Sequence, residues 1–271
     1  MMFAMYQPNN LYQKYKERVL DNEFSAALPD VTKKATLDHI NFAINLCERW
    51  DTVLDVGCSN GHYIAALAAK FRQAVGVDID LHPGQTILQR KYDNITFFNG
   101  PIESYPKTKK FNFVLLMDIF EHIPDIRVFM RQIAGLQEKG DVVYIVTPNP
   151  VFCGPAEESE IYHKKSGYHG HIRHYTKGEV VEICQSVGYN VEFSIYEETE
   201  SRAKFFLFGR AVSRRDRAFS KHWPYRLIRP LIIPVLNMIF IPLEKMCYKK
   251  EKISENDMFA TRSLVIALKK R

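Results

Sequence analysis

The sequence predicts an α/β protein built on a mostly parallel sheet with helices on both faces, and three observations carry that expectation. Between Thr52 and Pro148, apolar runs of strand length alternate with runs of helical periodicity. The strand-like runs are apolar almost throughout, as strands covered on both faces are. The first of them ends in a carboxylate and two glycines, "VLDVGCSNGHY" over Val53–Tyr63, at the lip between a strand and a helix.

Each element follows from local pattern. Residues 10–48 read as helical, because Leu37, Ile40, Phe42, Ala43, Ile44 and Leu46 recur at helical spacing before Trp50. Then come "TVLDVG" (strand), "HYIAALAAKF" (helix), "AVGVDI" (strand), "PGQTILQRKY" (helix), "ITFFN" and "FNFVLLMD" (strands), "IRVFMRQIAGLQ" (helix) and "DVVYIVTP" (strand). A loop rich in glycine and histidine follows, over 150–175. After it a helix, "KGEVVEICQSVGY", leads to a strand, "NVEFSIY", and the last strand-like run is "RSLVIALKK". The expected domains are therefore a helical cap over 1–49, a core over 50–199, an insertion over 200–257 and the core's final strand over 258–271.

Composition bounds the function. The 271 residues are 46% hydrophobic and 25% charged, enough for one large core. Five scattered cysteines (Cys47, Cys58, Cys153, Cys184, Cys247) suggest neither a disulfide framework nor a zinc knuckle and fit a reducing cytoplasm. The first twenty residues show no basic stretch followed by an apolar run, so no signal peptide is expected. Net charge is +6, yet the nine basic residues between Arg202 and Arg229 face a single acid, Asp216. Basicity thus belongs to one segment, and the remainder is slightly acidic.

In an open parallel sheet, ligands bind beyond the carboxyl ends of the strands, where strand order reverses. Asp55 and Gly57 close the first strand, and Gly61 opens the following helix with amide groups that can meet an anion. Asp78 ends the second strand, where a carboxylate can accept both hydroxyls of a ribose. Together these describe a nucleoside-containing ligand. The dinucleotide fingerprint GxGxxG and the phosphate loop GxxxxGK[ST] are both absent.

These residues resemble the class I S-adenosylmethionine-dependent methyltransferases. "VLDVGCSNGHY" is similar to their first motif and "AVGVDID" to their second. "FNFVLLMDIFEHIPD" resembles the fourth-strand motif of the branch that includes ubiquinone-biosynthesis and bacterial glycan O-methyltransferases. The resemblance runs from about Trp50 to Tyr196 and returns near Arg262. It implies a Rossmann-like seven-stranded sheet whose last strand is antiparallel and inserted beside the fifth, with S-adenosyl-L-methionine as cofactor. Asp55, Gly57, Gly61, Asp78, Ile79, Ile102 and Asp118 are then the expected cofactor contacts. The Gly57 loop would hold the methionine end, Asp55 the ammonium group through water, and Asp78 the ribose. Pro101 stands where the family usually has an acid for the adenine amino group, which leaves the Ile102 amide with Glu103 or Asn99 for that contact.

A sulfonium already activates the methyl group, so the enzyme mainly aligns the acceptor, and a hydroxyl acceptor also calls for a base. His122, in "FEHIPD", lies at the correct end of the sheet, and "SGYHGHIRHYT" adds His169, His171 and His174. His122, His171 and His174 are the candidate bases. The alternatives are a loop-orienting role for His122 and a structural or solvated cluster for the others. Glu121 with neighbouring histidines is the one combination resembling a metal site, and no metal is expected because a second carboxylate at ligand spacing is missing.

The 200–257 segment joins its basic flank to "LIIPVLNMIFIPL", Leu231–Leu243, which is uncharged, interrupted by proline and too short to cross a bilayer. It fits a segment lying in an anionic membrane interface at the inner face of the cytoplasmic membrane. A homodimer interface or a lid is the alternative. Nucleic acid is not an expected partner: the fourth strand lacks the Asp/Asn-Pro-Pro-aromatic motif of base methylation, and no RNA-binding module is appended. The sequence thus predicts an O-methyltransferase acting on an amphipathic or lipid-linked acceptor, a glycan or quinone-type precursor. The competing class is a non-catalytic peripheral scaffold.

Overall fold

A computed structural model describes residues 31–150, 171–197 and 262–269, with four single positions at 224, 227, 231 and 238. Helix α1 spans Val31–Ile44. Strand β1 (Thr52–Val56), helix α2 (His62–Leu67), β2 (Gln73–Asp78), α3 (Pro83–Lys91) and β3 (Ile95–Asn99) follow. Next come β4 (Phe113–Met117), α4 (Ile126–Gly135), β5 (Val142–Pro148), α5 (Lys177–Ser186), β6 (Tyr189–Glu197) and β7 (Arg262–Lys269). Most of the expected 200–257 insertion, and residues 1–30 of the expected cap, lie outside the described residues.

The seven strands form one sheet in the order β3-β2-β1-β4-β5-β7-β6. β1 pairs in parallel with both β2 and β4, and β7 runs antiparallel between β5 and β6. This is the mostly parallel seven-stranded arrangement expected. Alternate residues of each central strand feed two cores. Val53, Phe113, Leu115 and Tyr144 pack with α1, α2 and α3 on one face. Leu54, Val114, Leu116 and Ile145 pack with α4 and α5 on the other. Full burial on both faces is why these strands read as unbroken apolar runs.

Strand order advances from β1 to β2 and β3 on one side, and to β4 and β5 on the other. The reversal point is therefore the gap between the carboxyl ends of β1 and β4. The chain leaves the sheet there at Gly57 and Asp118, which face each other across that gap.

Candidate active site

The loop after β1 is held by its own backbone. Gly57 has φ +73° and donates its N–H to the Val77 carbonyl at 2.8 Å, folding the loop toward β2. A Cβ at Gly57 would lie 2.2 Å from Ile119 Cδ1, so glycine lets the loops after β1 and β4 approach. Ser59, at φ +47°, donates its N–H to Asp78 Oδ2 at 2.7 Å, and Asp80 donates its N–H to Asp78 Oδ1 at 3.0 Å. Two backbone donors thus aim the Asp78 carboxylate, which keeps lone pairs for further bonds. Buried Gln85, at the start of α3, donates to the Ser59 carbonyl at 2.9 Å and accepts from Asn99 Nδ2 at 2.9 Å, tying the β1, β2 and β3 loops together.

Two clefts open at this end of the sheet, and Gly57, Ser59 and Asp118 line both. The larger, about 700 Å³, is lined by Asp78, Ile79, Ile102, Glu103, His122 and Ile172 among others. This volume suits a small-molecule ligand. The smaller, about 160 Å³, is walled by Asp55, Asn60 and Tyr63 among others. Among the described residues, neither cleft is lined by a lysine or arginine, whereas Asp55, Asp78, Asp80, Glu103 and Asp118 all face them. Such walls repel phosphates and attract positive charge.

Asp55 gives that preference a focus. It is 3% exposed, and its Oδ2 is buried without a hydrogen-bond partner among the described residues. Burial, reinforced by the Asp78 charge, holds its carboxyl well above the usual carboxylate range. A cation in the smaller cleft would favour its ionised form. Asp118 occupies the left-handed region at φ +52°, donates its N–H to the Val146 carbonyl at 2.8 Å and pairs through Oδ2 with Arg262 of β7. Its Oδ1 is buried with no partner among the described residues.

The histidines cluster around His122, which lines the larger cleft. His122, in the 3₁₀ turn Phe120–His122, lines it. His171 stands edge-on to His122 with ring centroids 5.0 Å apart, and its Nδ1 is 2.7 Å from Nε2 of buried His174. Ile172 fastens this stretch by donating its N–H to the Glu121 carbonyl at 2.7 Å. Tyr175 packs edge-on against Phe120 at 5.8 Å, and the Thr176/Glu179 capping box then starts α5. Glu121, fully buried, accepts from Thr147 Oγ1 at 3.2 Å. Burial, then the Asp118 charge, pushes its carboxyl up to about 8. Glu121, His122 and His171 offer ligand atoms within 4.8 Å of one another, as do Asp78, Asp80 and His82, so either set is close enough to share a cation.

The structure gathers most of the expected residues. Asp55, Gly57, Asp78, Ile79, Ile102, Asp118 and His122 line one or both clefts. His171 sits beside His122, and His174 lies one hydrogen bond further back. Gly61 lines neither cleft: a Cβ there would lie 2.7 Å from Phe97 and 2.8 Å from Leu88, so its φ of +80° serves packing of α2 against β3 and α3. Asn99 turns its amide to Gln85 and Asp80, whereas Glu103 faces the larger cleft. His169 lies outside the described residues. Sequence reasoning missed Gln85, which looks like any helix residue, and Arg262, 144 positions from its partner.

Comparison with known proteins agrees with this geometry. A family described as "Methyltransferase domain" matches residues 12–193. The ubiquinone biosynthesis O-methyltransferase of Serratia proteamaculans is 29% identical over 103 residues, which is 36% of this chain and 43% of that protein. The chain thus matches less than half the length of that relative. Coclaurine N-methyltransferase, solved with N-methylheliamine and SAH, superposes with a TM-score of 0.58 at 14% identity, covering 92% of this chain and 75% of that one. An S-adenosylmethionine-dependent methyltransferase of Clostridium acetobutylicum superposes with a TM-score of 0.52 at 12% identity, covering 97% and 100%. With a sheet reversing between β1 and β4, acid-walled clefts at that reversal and a family match over two thirds of its length, the chain belongs to the methyltransferase domain family, of the class I type that uses S-adenosylmethionine.

Proposed function

We propose that the chain methylates a hydroxyl group on an amphipathic acceptor, a quinone-type precursor or a lipid-linked glycan, at an anionic membrane surface. The observation that carries the hydroxyl reading is His122, which lines the larger cleft together with the apolar side chains of Ile119, Ile123 and Ile172. An imidazole with a pKa near neutrality can take a hydroxyl proton, while the apolar walls suit an aromatic or prenylated acceptor. The sequence likeness to ubiquinone O-methyltransferases points the same way.

S-adenosylmethionine, when bound, supplies a methyl group already activated on a sulfonium. In this reading Asp55 and the Gly57 loop hold the methionine end in the smaller cleft. Asp78 accepts the ribose hydroxyls, Ile79 and Ile102 flank the adenine, and Glu103 takes its amino group. Asp118, facing both clefts, sits where the two halves of the ligand meet. Fixing the acceptor in line contributes several kcal/mol of the barrier, about 7–11 at the upper limit for well-oriented groups.

Exposed apolar side chains support the membrane part. Leu227, Leu231 and Met238 are 67%, 72% and 76% exposed. No helix among the described residues is long and apolar enough to cross a membrane. The test offers a prenylated catechol in anionic vesicles beside its diamine analogue. A single methylation of the catechol, faster on anionic than on neutral vesicles, supports the proposal; turnover of the diamine alone overturns it.

A further inference from the structure

The two backbone donors that orient the Asp78 carboxylate are themselves held from behind. Ser59 donates its N–H to Asp78 Oδ2, and Asp80 donates its N–H to Asp78 Oδ1. The Ser59 carbonyl accepts from Gln85 Nε2 at 2.9 Å, and the Asp80 carbonyl accepts from Gln85 Nε2 at 3.4 Å and from Asn99 Nδ2 at 3.2 Å. Asn99 Nδ2 also donates to Gln85 Oε1 at 2.9 Å, which joins the two side-chain amides into one unit. Gln85 is 1% exposed and, like Asn99, lines neither cleft.

We propose that Gln85, steadied by Asn99, is the positioning residue that makes the cofactor site selective for a ribose, by fixing the direction in which Asp78 presents its carboxylate. The inference rests on the ribose contact proposed for Asp78 and extends it to two residues that touch no ligand. Ser59 is where the hold is needed. It sits at φ +47°, a region that a non-glycine residue occupies when its surroundings impose it. Its N–H is tied to Asp78 and its carbonyl to Gln85. Releasing the carbonyl lets Ser59 relax to negative φ, which swings the N–H off the carboxylate. Asp78 alone does not prevent this, because its side chain would turn with the loop.

The amide pair has one orientation that works. Each amide nitrogen carries two hydrogens, and the four hydrogens match the four contacts to Ser59, Asp80 and Gln85 oxygens. Turning the Gln85 amide over would set its oxygen against two carbonyls. The helix that carries Gln85 is anchored separately. Gly84 donates its N–H to Asn60 Oδ1 at 3.1 Å, and a Cβ at Gly84 would lie 2.5 Å from the Asn60 carbonyl, so the start of α3 is packed tightly on the loop after β1. Ribose hydroxyls therefore meet a carboxylate that is already aimed, and binding spends nothing on ordering the loop.

The test titrates the full chain with S-adenosylhomocysteine and with its 2′,3′-dideoxy analogue, which lacks both hydroxyls. Wild type should bind the parent ligand roughly tenfold or more tightly than the analogue. Gln85→Met keeps the length of the side chain and loses its hydrogen bonds. It should cut that preference to about threefold or less by weakening the parent ligand, while Kd for the analogue stays within about twofold. Asn99→Ala should move the preference the same way by less, and the double variant should fall no further than Gln85→Met, because the two amides act as one unit. Equal weakening of both ligands in Gln85→Met marks a merely structural residue and overturns the inference, as does an unchanged preference. Should Gln85→Met fail to fold, exposed Asn99 supplies the deciding variant, and Asn99→Ala with a wild-type preference overturns the inference. Hydrogen exchange at the Ser59 amide in the cofactor-free protein is a second readout, expected to be about tenfold faster in Gln85→Met. An unchanged exchange rate overturns the inference whatever the ligands do. A wild type that binds both ligands alike removes the ribose contact of Asp78 and the selectivity assigned to Gln85 with it, whereas a wild-type preference kept by both variants removes the role of Gln85 alone.

Discussion

Replacing Asp55 with asparagine should weaken cofactor binding and stabilise the empty protein at once. Asp55 is buried, one of its oxygens has no hydrogen-bond partner among the described residues, and burial plus Asp78 raises its pKa well above normal. In the cofactor-free protein the carboxyl is therefore protonated at pH values where an exposed aspartate is ionised. An ammonium in the smaller cleft reverses that preference, so binding expels a proton. Affinity should rise with pH until the empty-site pKa is passed, or until the ligand's own amino group begins to lose its proton near pH 7.7–8.0. A hydrogen bond to a charged group is worth about 1.5–3 kcal/mol, so Asp55→Asn should raise Kd roughly 10- to 150-fold where the wild-type group is ionised in the complex. It should also flatten the pH dependence. For stability the sign runs the other way. A carboxyl whose folded pKa exceeds its unfolded value costs stability as pH rises from the unfolded pKa through the folded one, so the empty Asp55→Asn protein should melt higher at neutral pH. Titration calorimetry in phosphate and in Tris reads proton release directly, through the difference in buffer ionisation heats. A pH-independent wild-type Kd with no proton release, or an Asp55→Asn protein that binds as tightly as wild type, would refute the reasoning.

Other outcomes follow from the same geometry. Gly57→Ala places a Cβ against Ile119 at a φ costing about 1–2 kcal/mol in an L-residue, so both thermal stability and cofactor affinity should fall. Gly61→Ala should lower stability through Phe97 and Leu88 while leaving the affinity of whatever remains folded nearly unchanged, and equal affinity losses at the two glycines would contradict this division. His122→Ala should reduce kcat about 10²- to 10⁴-fold with cofactor Kd within a few-fold; full activity would remove His122 as the base. Glutamate at Arg214, Arg215 and Arg217 should release the protein from anionic vesicles, whereas a salt-resistant dimer that ignores lipid would assign the segment to self-association.

What the sequence disclosed and what it hid have a physical basis. Strands such as "FNFVLLMD" and "DVVYIVTP" stand out because burial on both faces demands unbroken apolar runs, and the structure forms β4 at Phe113–Met117 and β5 at Val142–Pro148. Asp55, Gly57 and Asp78 are legible because they must fall at strand ends a fixed distance apart. Gly61 shows the limit of such reasoning. The positive φ that glycine permits is used there, but for contact with Phe97 and Leu88, and no local pattern tells a glycine facing a ligand from one facing a neighbouring ring. The histidine cluster is visible as three histidines within six residues, whereas the 2.7 Å bond between His171 and His174 and the edge-on approach to His122 depend on how the loop docks onto Glu121.

Arg262 is the residue that no local reading could reach, and its position gives the last strand a second use. β7 lies antiparallel beside β5, which brings Arg262 at its start to the carboxyl end of the parallel strands, beside Asp118. A β7 running parallel to β5 would carry that end of the strand to the opposite edge. Asp118 sits on the ridge between the two clefts in a backbone conformation that non-glycine residues adopt at a cost of order 1–3 kcal/mol, so it needs an external partner to hold it. The guanidinium supplies that partner and balances one carboxylate in a wall of acids. Arg262→Met should therefore loosen cofactor binding by several-fold with little change in the sheet, since the methionine stem keeps the packing of the arginine stem. Arg262→Lys, which keeps the charge, should recover most of the affinity. Calorimetric titration of both variants with S-adenosylhomocysteine decides the matter without any acceptor. If Met and Lys bind alike at wild-type strength, Asp118 is held by its backbone alone and the antiparallel strand serves only to close the sheet.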